Sequence, residues 1–333
     1  MNLFIFGLLA ALAAALAWRY ARGSSLRDRR QIEDALKHLF DQEYRGRHAS
    51  LPSLSGALRL SDRRVLALVA RMQSQRLVVA RGQEFDLTPE GERLALQIVR
   101  AHRLLERYFA DEARLPLGKV HAAAERGEHL LSSEQVERLS AAMGHPTFDP
   151  HGDPIPSRQG SVAPLSGVSA TSWPLETTGR IVHLEDEPQI AFAQILAAGL
   201  RVGQLLRVLE TSRERVVLTD GENEFSLAPA VAANVFLAPA PESAVEPGTI
   251  RLSELPQNQA AVVIALDDAC QGFSRRRLMD LGFTEGAHIR PVLNTFAGDP
   301  RGYEVRGTLV AVRRDQAAQI FVKPVEQDAQ GAA

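Results

Sequence analysis

Residues 87–156 read LTPEGERLALQIVRAHRLLERYFADEARLPLGKVHAAAERGEHLLSSEQVERLSAAMGHPTFDPHGDPIP. Thr88 ahead of Pro89-Glu90-Gly91-Glu92 combines a capping side chain, a first-turn proline and early acids, which predicts a long helix through the 90s and 100s. A second helix is predicted over about 117–131 and a third over about 134–143, capped by Ser132 or Ser133. Within them His121, Glu125, Glu128 and His129 fall at i, i+4, i+7 and i+8, covering about 100° of one helix face. His102 and Glu106 sit one turn apart on the preceding helix. Packed together, the two helices offer six nitrogen and oxygen donors to one site, a mixture that suits divalent first-row metals. On spacing alone, a solvated charged face that also carries Arg126 is the competing reading.

Upstream, RQIEDALKHLF places apolar residues at 32, 35, 36, 39 and 40, a helical period. The loop RGRHAS and the short amphipathic stretch LPSLSGALRL follow. Ser61 is a good N-cap for a third helix, DRRVLALVARMQSQ, and LVVARGQEFDL reads as two strands turning at Arg81-Gly82. Three helices and a hairpin make a winged helix-turn-helix, placed at 26–93. Such a module reads bases from the exposed start of its third helix while arginines hold phosphates. Val65, Val69 and Met72 line the core stripe, leaving Arg63, Arg64, Leu66 and Ala67 toward a groove and Arg71, Arg45, Arg47 and Arg81 toward phosphates. Leu and Ala read little beyond a thymine methyl. A scaffold or protein-contact role for the winged helix therefore stands as the alternative.

The whole chain has 333 residues, 45% hydrophobic and 23% charged. That length predicts several domains, and the composition excludes wholesale disorder and a multi-span membrane protein. Residues 1–25 carry a net charge of +2, residues 26–100 carry +4 and residues 101–333 carry −8: a mildly basic front precedes an acidic body. The single cysteine, Cys270, excludes an internal disulfide and multi-cysteine zinc sites and points to a reducing compartment.

From Leu3 to Trp18 the chain reads LFIFGLLAALAAALAW, about 24 Å of helix, near the lower limit for crossing a bilayer. Arg19, Arg22, Arg27, Arg29 and Arg30 follow it and no positive charge precedes it. That order favours a retained anchor over residues 1–22, single-pass in the inner (cytoplasmic) membrane with the body in the cytoplasm. A cleaved signal peptide and a buried helix are the alternatives.

Past DPHGDPIP, SRQGSVAPLSGVSATSWP is rich in Ser, Gly and Pro, so residues 159–174 are expected to be a linker. The remainder contains a repeat. ILAAGLRVGQLLRVL at 195–209 and LMDLGFTEGAHIRPV at 278–292 align Gly199, Gly203 and Arg207 with Gly282, Gly286 and Arg290. Alternating strands follow each copy, so two small five- or six-stranded barrels are expected at 175–240 and 249–325 in preference to helices.

Residues 87–156, through AHRLLER, KVH, the following EH and DPHGDPIP, resemble the metal-binding and dimerisation domain of the diphtheria toxin repressor and manganese transport regulator family, placed at 94–158. Separately, RRRLMDLGFTEGAHIRPVLNTFAGDPRGYEVRGTLVAVRRDQAAQIFV resembles the FeoA domain of ferrous-iron transport systems. The resemblance implies a multidomain α+β protein: a winged helix-turn-helix, an all-α metal-binding and dimerisation domain and two SH3-like β-barrels, preceded here by the transmembrane helix. It implies an ancillary metal site at His102, Glu106 and His121 and a primary, activating site at Asp34, Glu125, Glu128 and His129. Asp34 and Glu125 replace the thioether and thiol ligands of the toxin-repressor branch, which shifts the expected cofactor toward Fe²⁺ or Mn²⁺, with other divalent transition metals binding in vitro. A second first-helix acid of the manganese branch falls on Lys37, which argues against a two-metal cluster. Third-domain ligands fall near Glu187 and Gln189.

These features predict a metal-dependent transcriptional regulator of metal homeostasis, a homodimer on double-stranded DNA, in which metal bridging Asp34 to Glu125, Glu128 and His129 fixes the dimer geometry. The alternative is a membrane-tethered accessory or sensor of ferrous-iron uptake that contacts an iron transporter and does not bind DNA. No nucleophile with a base, phosphate loop or open-site zinc motif occurs in the sequence, so neither an enzyme nor a small-molecule substrate is expected.

Overall fold

The computed structural model describes residues 27–240, 248–257, 259–267, 270–294 and 298–325. The expected membrane anchor at 1–22 lies outside them. Among the described residues no helix is long and apolar enough to cross a membrane. The chain divides into two compact units. One holds the described residues up to His102 together with Glu125–Glu134 and Pro156–Pro164, and the other holds Arg103–Ala124, Gln135–Ile155 and the described residues from Leu165 onward. The stretch 94–158, expected to form one all-α domain, is thus shared between the two units. Its first residues pack as part of the winged-helix core, where Ala95, Leu96 and Val99 are buried with Leu36, Leu68 and Met72.

The first unit contains three helices and a hairpin in winged-helix order. Helix α1 spans residues 27–44; strand β1, Ala49–Ser50, leads into α2, Leu51–Leu58. Ser50 and Ser53 cap α2 reciprocally, the Ser53 amide donating to Ser50 Oγ and the Ser50 amide to Ser53 Oγ. Helix α3, Asp62–Ser74, buries Val65, Leu68, Val69 and Met72, an i, i+3, i+4, i+7 stripe facing α1 residues Ala35, Leu36, Leu39 and Phe40 in one core. Ser61 stands at its N-cap position, but its side chain makes no capping hydrogen bond. The wing is β2, Val78–Arg81, and β3, Glu84–Leu87, with β1 as a third strand against β3. Helix α4, Pro89–Asp111, starts where Thr88 Oγ1 accepts from the Gly91 amide at 3.0 Å. A Cβ at Gly91 would collide with the Leu77 carbonyl, so this first-turn position has to be glycine or shift the start of the wing.

Helix α5, Leu117–Gly127, runs into a short 3₁₀ turn, Glu128–Leu130, and α6 is Ser133–Ala142. The second unit then builds two six-stranded antiparallel sheets. The first contains β4, Val168–Ser169; β5, Thr178–Leu184; β6, Leu205–Thr211; β7, Val216–Thr219; β8, Glu224–Leu227; and β9, Val235–Pro239. It also contains helices α7, Gln189–Ala197, and α8, Pro229–Ala232. The second contains β10, Ile250–Arg251; β11, Ala261–Leu266; β12, His288–Asn294; β13, Arg301–Val305; β14, Thr308–Val312; and β15, Ile320–Pro324, with α9, Gly272–Asp280, and α10, Arg314–Ala317. Their strand orders, β4-β9-β5-β6-β7-β8 and β10-β15-β11-β12-β13-β14, are the same topology twice. The irregularities also repeat: register shifts fall at Ile181/His183 and Val208/Glu210 in one sheet and at Val263/Ala265 and Pro291/Leu293 in the other.

The sequence repeat therefore reflects a structural one, with a correction. Each copy begins as the end of a helix, α7 or α9, and becomes a strand only after the glycine turn. Gly199, Gly203, Gly282 and Gly286 all adopt positive φ there, which is why both copies keep glycine at these positions. Among the described residues β4 and β8 end one sheet and β10 and β14 the other.

Residues 159–174 are not a free linker. Val162 packs on the winged-helix core and the Tyr44 hydroxyl donates to the Ala163 carbonyl. Further on, Ala170 and Trp173 are buried in the core of the first sheet. The small and polar residues of this stretch supply turns, and the apolar residues between them anchor it.

Candidate metal centres

The first centre lies within the first unit. Helix α1 contributes Glu33, Asp34 and Lys37, the residues closing α5 contribute Glu128 and His129, and α4 contributes His102. His129 Nδ1 lies 2.6 Å from Glu33 Oε2, and its Nε2 lies 3.0 Å from Asp34 Oδ1 and 3.6 Å from Glu128 Oε1. Ligand atoms of Asp34, Glu128 and His129 all fall within 4.8 Å of one another. Glu128 is 5% exposed. Burial pushes its carboxyl up, but the hydrogen bond to His102 and the Lys37 charge hold it below the usual carboxylate range. Burial pulls His129 down, yet hydrogen bonds to Asp34 and Glu33 and the Glu128 charge raise it to about 9. Lys37 Nζ donates to Glu128 Oε2 at 3.0 Å and lies 2.9 Å from His102 Nδ1.

The second centre lies within the second unit. Glu106 of α4 and His121 of α5 meet at 3.0 Å between Oε1 and Nδ1. The same Nδ1 is 3.0 Å from Asp186 Oδ2, just past β5. His151, from the DPHGDPIP segment, places Nδ1 3.6 Å from Glu106 Oε2, and ligand atoms of Glu106, His151 and Asp186 fall within 4.8 Å of one another. The Asp149 carboxylate accepts from the His151 and Asp153 amides at 2.8 and 2.9 Å, which shapes the turn that carries His151. Burial raises Asp186, but the hydrogen bond to His121 and the His151 charge leave it below its ordinary value. Burial opposes a charge on His151, but Asp149 and Glu106 hold it well above the ordinary imidazole range.

Both donor sets suit a divalent cation. In the second centre His151 Nε2 is buried without a hydrogen-bond partner among the described residues, and His121 Nδ1 lies 3.0 Å from each of two carboxylates. In the first, the His129 ring is bracketed by three acids. No thiolate takes part, since Cys270 is buried in the core of the second sheet. Carboxylate and imidazole sets of this kind favour Mn²⁺ or Fe²⁺ over softer ions.

Among the residues read from the sequence, Asp34, Glu128 and His129 are brought together, as are Glu106 and His121, while His102 contacts Glu128 and Lys37. Glu125 is exposed, and the Asp34, Glu128 and His129 group forms without it. Glu128 and His129 themselves stand in the 3₁₀ turn that follows Gly127. Glu187 and Gln189 are exposed; the carboxylate that reaches His121 is Asp186. Glu33, His151 and Asp186 were missed. The signals were present: Glu33 adjoins Asp34, His151 stands between two aspartates in DPHGDP, and Asp186 lies in the acidic run LEDE.

The nucleic-acid candidates Arg63, Arg64, Ala67, Arg71, Arg45, Arg47 and Arg81 are all exposed, and Leu66 between them is 51% exposed. Arg71 pairs with Asp28 at 2.6 Å, Arg81 with Asp86 at 2.6 Å and Arg45 with Asp41 at 3.0 Å. The Arg71–Asp28 and Arg45–Asp41 pairs are solvent-exposed and of a kind worth about 0–1 kcal/mol, whereas Asp86 is buried.

Fold and donor sets define a class: winged-helix proteins followed by carboxylate–histidine clusters that could hold metal ions. Residues 88–157 match the iron dependent repressor metal binding and dimerisation domain, and residues 250–324 match the FeoA domain. The diphtheria toxin repressor of Corynebacterium glutamicum is 32% identical over 204 residues, spanning 58% of this chain and 89% of the relative. The iron-dependent repressor IdeR of Mycobacterium tuberculosis is 36% identical over 122 residues, 36% of this chain and 53% of the relative. A solved manganese-dependent transcriptional repressor in complex with manganese superposes with a TM-score of 0.58 at 27% identity, covering 63% of this chain and 100% of that one. This chain belongs to the diphtheria toxin repressor family and carries a FeoA domain at its carboxy-terminal end.

Proposed function

We infer that this protein is a metal-dependent transcriptional regulator of metal homeostasis that takes Fe²⁺ or Mn²⁺ and acts as a homodimer on double-stranded DNA. The observation that carries the reading is the meeting of Asp34 and Glu33, on the first winged-helix helix, with Glu128 and His129. Helix α1 packs directly on the reading helix α3, so whatever holds α1 to Glu128 and His129 also sets where Arg63 and Arg64 point. When bound, a divalent ion supplies the positive charge that lets these acids stay close after His129 gives up its proton. Asp34, Glu128 and His129 would hold it, and Glu33 orients the His129 ring through Nδ1. Lys37 already places a cation beside Glu128, which supports one ion at this centre. Glu106, His121, His151 and Asp186 would hold a second ion separately. By linkage, an ion that prefers the DNA-competent arrangement raises DNA affinity by the same factor by which DNA raises affinity for the ion, typically 5–150-fold.

The two repeated sheets are read as SH3-like barrels, supported by their shared strand order. The apolar stretch 3–18 with its following arginines supports a membrane-held protein whose body faces the cytoplasm. The test is binding of the protein to a pool of random duplex DNA, with and without anaerobic Fe²⁺ or Mn²⁺. Asp34→Ala and Glu128→Ala serve as controls. Metal-dependent enrichment of a palindrome that both variants abolish is the expected result. Confirmed metal uptake without enrichment of any duplex would defeat the regulator reading and leave a protein partner as the target of the winged helix.

A further inference from the structure

Three separated chain segments supply the second centre: α4 with Glu106, the 147–153 turn with His151, and the end of β5 with Asp186. Each is fastened, a few residues from its ligand, to one short stretch of the FeoA domain. Asp111, five residues past Glu106, accepts the backbone amides of Phe273 and Ser274 at the start of α9, and the Tyr108 ring meets Phe273 edge-on at 6.2 Å between centroids. Thr147 and Phe148, just ahead of His151, donate their backbone amides to Gln271 Oε1 at 2.9 and 3.2 Å. Arg180, six residues before Asp186 on β5, donates to Asp267 Oδ1 at 3.0 Å, and Arg251 holds the other oxygen of that buried carboxylate at 2.6 Å. Asp267, Gln271, Phe273 and Ser274 of the FeoA domain thus reach all three.

The fit leaves little slack. Gly272 adopts φ +63°, and a Cβ there would collide with the Asp111 carboxylate. Arg107 closes the junction by donating to the Phe148 carbonyl at 3.2 Å, and Arg276 reaches the Ala142 carbonyl at 3.1 Å. Polar contacts made by a backbone turn and by both oxygens of a buried aspartate fix positions more tightly than apolar packing does, because they fail within a few tenths of an ångström.

We propose that the FeoA domain is an intramolecular clamp for the second metal centre, with Asp111, Gln271 and Asp267 as positioning residues that hold Glu106, His151 and Asp186 at ligating distance and so set the affinity of that centre. The proposal rests on reading the cluster as a metal site. Its physical content is pre-organisation: groups behind the ligands typically change metal affinity about 10–100-fold. The clamp acts chiefly on this centre. Asp34, Glu128 and His129 lie on none of the three fastened segments, and the first centre meets α4 through His102, which contacts Glu128.

The experiment is a Mn²⁺ titration of the metal-free full chain against a chelating indicator. Asp34→Ala and Asp186→Ala identify which class of site is which. Gln271→Leu removes the acceptor for the Thr147 and Phe148 amides. Arg180→Gln cuts the β5 tether from the other side of the junction and serves if the first variant does not fold. Both are expected to weaken the Asp186-dependent class about tenfold or more and to leave the Asp34-dependent class within about twofold. Gln271→Glu keeps an oxygen acceptor at the same place and is expected to retain the affinity of the unaltered protein, a rescue that loss of bulk packing would not show. Unchanged affinity of the Asp186-dependent class in both variants would overturn the clamp, as would an equal loss in both classes. Absence of any Asp186-dependent class in the unaltered protein would instead remove the metal reading of this cluster, and the clamp with it.

Discussion

Lys37 Nζ lies 3.0 Å from Glu128 Oε2 and 2.9 Å from His102 Nδ1, so a fixed ammonium stands inside the first carboxylate–histidine centre. It offsets the charge of a carboxylate that is otherwise buried, and it occupies room that a second divalent ion would need. Lys37→Glu should therefore raise the Mn²⁺ count at this centre from one to two per chain, read by native mass spectrometry in an Asp186→Ala background. An unchanged count would show that Lys37 does not limit occupancy. Lys37→Ala should weaken the metal-free fold by about 1.5–3 kcal/mol, the range for a hydrogen bond to a charged group, measured by urea unfolding.

The pH dependence of metal uptake follows from His129. Its pKa is raised to about 9 by Asp34, Glu33 and the Glu128 charge acting against burial, so near neutrality the ring is protonated and an ion must displace that proton. Between pH 6 and pH 8 apparent affinity at this centre should rise about tenfold per pH unit, with close to one proton released, and should flatten as pH passes 9. Calorimetry in buffers of different ionisation enthalpy reads the proton directly. The same raised pKa stabilises the metal-free fold fully below the unfolded value near 6.5, and that stabilisation is lost as pH climbs through 9.

Asp186 and Glu187 are neighbours with opposite fates. Asp186 Oδ2 is 3.0 Å from His121 Nδ1, whereas Glu187 is exposed. Asp186→Ala should abolish or weaken by at least about tenfold the second class of Mn²⁺ site, and Glu187→Ala should leave it within about twofold. Equal effects would place the ligand register elsewhere.

Trp173 tests whether the stretch before the first sheet is structural. Its ring is buried in that core, donates from Nε1 to the Thr177 carbonyl at 3.0 Å, and stacks so close to Gly179 that a Cβ there would lie 2.8 Å from the ring. Trp173→Ala should cost about 3–5 kcal/mol, seen as a lower denaturation midpoint. A free linker would show almost none.

On DNA, Arg64 is exposed in the first turn of α3. Arg64→Ala should lower affinity, and if it contacts phosphate the loss should be even across sequences with the salt slope reduced by about one. If it contacts a base, the loss should concentrate at one position of the site.

Much of this protein was legible along the chain because its rules are local. The stripe Val65, Val69 and Met72, the turn at Arg81-Gly82 and the start of α4 at Thr88 each depend on residues within one or two turns of each other, and each was read as it stands. The 83-residue repeat was legible for the same reason: the paired glycines, Gly199 with Gly282 and Gly203 with Gly286, need positive φ. His129 and Glu128 could be named because they share a helical stripe, and Asp34 through the family resemblance. Other features depended on long-range packing. Nothing near Asp186 in sequence distinguishes it from Glu187; a one-residue step past the end of β5 decides which carboxylate turns inward. Glu125 stands exposed on α5, outside the group that Asp34, Glu128 and His129 form. Ser, Gly and Pro content marked 159–174 as a linker, although Trp173 had a core to enter. Local propensity thus determined the elements and most of the donor inventory. Which donors meet, and what holds them, was decided by segments far apart in sequence, such as Gln271 on the turn of His151, 124 residues from Thr147, because contacts at that separation leave no periodicity in the chain.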